Sequence, residues 1–84
     1  AAELEKAVDI CRKYTDSLTY IDKQAELLNC LLDVYYEVQN MSKCRELIEE
    51  IDRINDKYRE QGVFREVNEE IRRAVRNIGE EIHT

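Results

Sequence analysis

Apolar residues recur along this chain at intervals of three and four, the spacing that lays them on one face of an α-helix. The clearest run lies in the middle. Leu28, Leu31, Leu32 and Tyr35 fall at i, i+3, i+4 and i+7, and after the polar break Gln39-Asn40 the pattern resumes with Cys44, Leu47, Ile48, Ile51 and Ile54. Two amphipathic helices separated by so short a break form an antiparallel hairpin. Leu4, Ala7, Val8, Cys11 and Tyr14 mark a stripe before the hairpin, and Val63, Val67, Ile71, Ala74, Val75 and Ile78 mark one after it. The pattern therefore predicts four helices, over residues of about 2–16, 20–39, 42–61 and 63–79. The expected class is all-α, with four antiparallel helices either stacked as hairpins or closed into an up-and-down four-helix bundle. A closed bundle packs the first helix against the fourth, whereas a stack keeps them apart.

Residues that favour caps and turns place the breaks. Thr15-Asp16-Ser17 ends the first helix, because these side chains compete with the helix for backbone hydrogen bonds. Thr19 is the expected N-cap of the second helix, with Asp22 three residues on in the manner of a capping box. Asn40 tolerates the left-handed conformation and suits the end of that helix, and Ser42 suits the N-cap of the next. Gly62 stops the third helix, since glycine has no Cβ to oppose a positive φ. Val63 and Phe64 beside it are expected to plug the corner between the third and fourth helices. Gly79 weakens the last turn, so residues 80–84 are expected to fray.

The central hairpin resembles a tetratricopeptide repeat, a unit of about 34 residues with the pattern W-x2-L-G-x2-Y, then A-x3-F, then P. The matching positions read Leu28-x2-Leu31-Leu32-x2-Tyr35 and Cys44-x3-Ile48, with Leu32 in place of the glycine and Asp56 in place of the proline. Weaker echoes of the two halves occur at Ala7-x3-Cys11-x2-Tyr14 and at Ile71-x2-Ala74-Val75-x2-Ile78. The resemblance implies a hairpin whose first helix lines a groove for a partner peptide.

Composition narrows the choices. A chain of 84 residues makes one domain, and with no proline and two glycines it has few helix breakers. The formal net charge of −6 argues against a nucleic-acid surface, which needs clustered lysine and arginine. No apolar run approaches the roughly 20 residues that span a bilayer, and no signal peptide is recognisable at the start. Cys11, Cys30 and Cys44 lie within helical stripes and are expected to be reduced, buried and free of intramolecular disulfides. That fits a cytoplasmic protein.

The residues offer little for catalysis. His83 is the single histidine, and with Glu80 it falls short of the three or four ligands of a metal shell. The single histidine lies far in sequence from every serine and cysteine, so the usual nucleophilic triad is not assembled, and no glycine-rich phosphate loop is present. No enzyme activity, cofactor or metal is expected. The alternating charges of the fourth helix, with Glu69 and Arg73 at i, i+4, read as surface stabilisation. Asp22, Glu26, Asn29, Asp33, Tyr36 and Glu37 instead form one polar, acidic face of the second helix, the helix that the family resemblance assigns to partner binding. The expected function is a non-catalytic protein–protein interaction module that holds a basic or amphipathic peptide or helix on that face. An apolar flank left open in a stack would favour self-association. The alternative is a stand-alone structural or designed helical bundle without a ligand.

Overall fold

A computed structural model describes residues 2–83, with side chains placed for residues 2–78. Its elements are α1 (Ala2–Arg12), α2 (Leu18–Glu37), α3 (Met41–Tyr58), a single 3₁₀ turn (Arg59–Gln61) and α4 (Glu69–His83). The fold is all-α with four helices, and no strand occurs among the described residues. Each helix packs on its neighbour in the chain, α1 on α2, α2 on α3 and α3 on α4. Among the described residues, α1 and α4 do not form a packed pair. The Cα envelope measures 42 × 29 × 17 Å. At about 8–10 Å between packed helix axes, the short dimension holds two layers of helix and not three.

The central stripes form the core. Leu28, Leu31, Leu32, Cys44, Leu47, Ile48, Ile51 and Ile54 are all buried, joined by Val8 of α1 and by Ile71 and Val75 of α4. Tyr35 is half-buried against this core, and its hydroxyl donates to Glu5 of α1. That hydrogen bond holds the tyrosine pKa up, because it favours the neutral phenol. The α1 stripe is only partly as expected. Val8 and Cys11 are buried, but Tyr14 lies half exposed beyond the helix end, stacked on Tyr20 with ring centroids 4.6 Å apart.

Polar ties reinforce the packing. Glu50 of α3 accepts from Nε and Nη2 of Arg12 and, at 2.7 Å, from Nε2 of the buried Gln24, so one carboxylate joins α1, α2 and α3. Arg72 of α4 makes a two-pronged pair with Asp52 of α3, at 2.9 and 2.8 Å. The expected pair between Glu69 and Arg73 is not formed. Glu69 instead meets Arg72 at 4.0 Å, one turn away.

The helix ends depart from the sequence reading in instructive ways. The α2–α3 turn is a Schellman motif, with Gln39 N–H donating to Tyr36 O at 3.0 Å and Asn40 N–H to Tyr35 O at 2.9 Å. Gln39, at φ 61°, takes the left-handed position expected for Asn40. Asn40 is the N-cap of α3 instead, its side chain accepting from Lys43 N–H at 3.2 Å, and Ser42 falls inside the helix. One asparagine cannot both end one helix and cap the next, so the left-handed site moves back by one residue. Likewise Ser17, in extended conformation, precedes α2, so Thr19 is not its N-cap and the Asp22 capping box does not form. Gly62 ends the third helical segment as expected, at φ 88°.

The largest departure concerns α4. It begins at Glu69, not Val63, and α1 ends at Arg12 rather than near Asp16. Residues 63–68 are non-helical, and Val63 and Val67 still reach the core from this segment. Phe64 does not plug the corner; it is about half exposed, with the Arg59 guanidinium 4.6 Å from its ring centroid. The segment is held by Asn55. Its Nδ2 donates to Arg65 O at 2.8 Å and its Oδ1 accepts from Arg65 N–H at 2.9 Å, so a side-chain amide imitates a neighbouring strand. Asn68 then starts α4, its Oδ1 accepting from Glu70 N–H at 2.9 Å. At its other end α4 continues past Gly79 to His83, where the chain was expected to fray, and Thr84 lies outside the described residues.

Candidate acidic groove between α2 and the 63–68 segment

The segment that replaces the first turns of the expected fourth helix builds a groove. It runs beside α2, so that Glu26, Asn29, Cys30 and Asp33 form one wall and Arg65, Glu66, Val67, Asn68 and Glu69 the other. The groove has a volume of about 660 Å³. Four carboxylates and one guanidinium line it. Of the six α2 residues expected to hold a partner, the structure brings Glu26, Asn29 and Asp33 into this groove. Asp22 stands one turn before Glu26, tied to a groove residue, and Tyr36 and Glu37 do not line it. Tyr36 is half-buried against the core, and Glu37 closes α2 at the surface.

Asp22 is already occupied. Arg65 Nε donates to its Oδ1 at 2.9 Å and Nη2 to its Oδ2 at 2.7 Å, the paired geometry in which a guanidinium fits a carboxylate best. Glu26 lies further out, with its carboxylate 3.9 Å from the same Nη2 and 3.5 Å from Lys23 Nζ. The acidic face expected to receive a cation from outside thus already holds one from its own chain. The hydrogen bonds from Arg65 hold the Asp22 carboxyl below its ordinary value of 3.8, and those to Asp22 raise the arginine.

Because the folded value of Asp22 is lowered, the pair stabilises the fold above the ordinary aspartate value, and that contribution disappears as pH falls through the lowered value. Both side chains are more than a third exposed, so solvent screening limits the effect to below about 1 kcal/mol. Asp22→Asn should therefore lower stability slightly at neutral pH and flatten its dependence on pH below about 4 in urea titrations. An acid limb as steep as that of the unmodified protein would remove Asp22 from the account.

Cys30 differs from the other two cysteines. It is exposed at the groove wall, whereas Cys11 and Cys44 are buried, so the expectation that all three are buried fails at this position. It faces away from the stripe of Leu28, Leu31 and Leu32, being two positions from one and one from the next. Burial pushes the Cys44 thiol pKa up. All three are free thiols.

Sequence reasoning missed Arg65, Glu66 and Glu69 as groove residues, having placed them on a continuous helix. One local signal marks the true boundary. Asn68-Glu69-Glu70 puts an N-cap residue before two acids, which suits the positive end of a helix dipole better than a helix interior. Among the described residues, no group of three or more His, Cys, Asp or Glu side chains could hold a metal ion. No helix among them is long and apolar enough to cross a membrane. The side chains of Glu80 and His83 lie outside the described residues. Comparison of the chain with models of known families, with curated proteins and with solved structures finds no match.

Proposed function

We propose that the protein is a non-catalytic interaction module, similar in its central hairpin to a tetratricopeptide repeat, that receives a basic segment of a partner protein in the groove between α2 and the 63–68 segment. The observation that carries this reading is the convergence of Glu26, Asp33, Glu66 and Glu69 on one open groove. The pairing of the chain's own Arg65 with Asp22 illustrates how such a face engages a guanidinium. Complementary charge would speed encounter and make binding weaken as salt rises.

The test uses the full chain and a blocked peptide that alternates arginine with leucine. Binding should slow alkylation of Cys30, which lines the groove, and shift the backbone amide signals of Asp33 and Glu69 in heteronuclear NMR spectra. The double change Asp33→Asn and Glu69→Gln should weaken the peptide by about tenfold or more while leaving helicity unchanged, since exposed charges contribute little to folding. Equal affinity for the double variant, or an alkylation rate indifferent to the peptide, would overturn the groove assignment in favour of a stand-alone bundle.

A further inference from the structure

Positive charge gathers at a separate place. α1, α2 and α3 enclose a second groove of about 480 Å³, whose lining includes the apolar side chains of Ile21 and Ile54 and the ring of Tyr58. Arg12, Arg53 and Lys57 also line it. The three cations are not equivalent. Arg12 is committed to Glu50, the one carboxylate in the lining, and Glu50 also accepts from Gln24. Arg53 and Lys57 stand one turn apart on α3, both exposed, and neither forms an ion pair among the described residues. Lys57 Nζ sits 5.3 Å from the centroid of the Tyr58 ring. On a chain with a net charge of −6, this is a local excess of positive charge beside a partly buried aromatic ring.

We propose that this second groove docks a partner segment in which acidic side chains alternate with large apolar ones. Two cations at i, i+4 lie about 5–6 Å apart at their Cβ atoms, a spacing that two carboxylates on a short segment can match. The apolar residues would lie on the partly buried Tyr58 ring and on the aliphatic stems of Arg53 and Lys57, above the buried Ile21 and Ile54, and the acids would meet the cationic ends of Arg53 and Lys57. Glu50 does not repel the segment, because Arg12 and Gln24 already hold its oxygens. This docking is independent of the acidic groove and would stand if that reading failed.

Three blocked hexapeptides decide the matter, alternating leucine with glutamate, glutamine or lysine, each titrated into the full chain and followed by NMR. The glutamate peptide should move the amide signals of Arg53, Ile54, Lys57 and Tyr58, with affinity falling as salt rises. Arg53→Gln with Lys57→Gln should weaken it by about tenfold or more, and the glutamine peptide should be weaker by a similar factor. Circular dichroism of the double variant should match the parent, since both side chains are exposed. Equal affinity for the glutamine peptide, an indifferent double variant, or no movement at millimolar peptide would overturn the proposal. So would the same signals moving with protein concentration alone, which would make a second copy of the chain the occupant.

Discussion

Leu31→Ala should lower the free energy of unfolding by about 2–5 kcal/mol, a large share of what a domain of this size possesses. Leu31 is 2% exposed and sits between Leu28 and Leu32 in the contiguous core, with α1 and α3 packed on α2. Removing three carbons there loses their transfer free energy and leaves a cavity that the close-packed neighbours fill only in part. In urea, the midpoint should fall with the slope unchanged. Leu27, one position earlier and only partly buried, provides the control, since its truncation should cost much less. Equal losses at the two positions would mean that the buried face of α2 is wrongly assigned.

The second large effect should come from Asn55. Its amide meets both backbone groups of Arg65 and is 5% exposed, so Asn55→Ala leaves a partly buried donor and acceptor without partners. Each orphaned group costs roughly 1–3 kcal/mol. Beyond the loss of stability, exchange of the Arg65 amide hydrogen should accelerate, because the 63–68 segment would open without global unfolding. Asn55→Asp should not rescue it at neutral pH. A carboxylate can still accept from Arg65 N–H, but it faces Arg65 O with no hydrogen to give. A variant that exchanges this amide as slowly as the parent would show that Val63 and Val67 alone hold the segment.

How much of this was legible in the sequence depends on how far apart the partners stand. The stripes of α2 and α3 were fully readable, because a helical face is written within a few residues of itself. Val63 and Val67 misled for a physical reason. Their spacing of four satisfies a helix, and it equally satisfies an extended segment in which every second side chain turns inward. The neighbouring β-branched and aromatic residues favour the extended choice, and Asn55, eight residues before Val63, fixes it. The acidic face of α2 was readable as a face, but the cation that meets Asp22 lies 43 residues away. The second wall of the groove was hidden for the same reason, since it exists only because α4 starts late.

The order in which helices pack also bears on how the chain acquires its structure. Each helix lies on its neighbour in sequence, so most of the core closes through short loops, a topology associated with rapid folding. α1, α2 and α3 can assemble before the remainder of the chain takes part. The clasp between Asp22 and Arg65 spans more of the sequence than Arg12 with Glu50 or Arg72 with Asp52. Loop-closure entropy grows only with the logarithm of length, so the clasp costs little more to close than Arg12 with Glu50, and the bonds from Asn55 to Arg65, ten residues apart, bring its arginine into place first. The groove on α2 would then owe its second wall first to a local contact within the chain and only afterwards to the clasp that spans it.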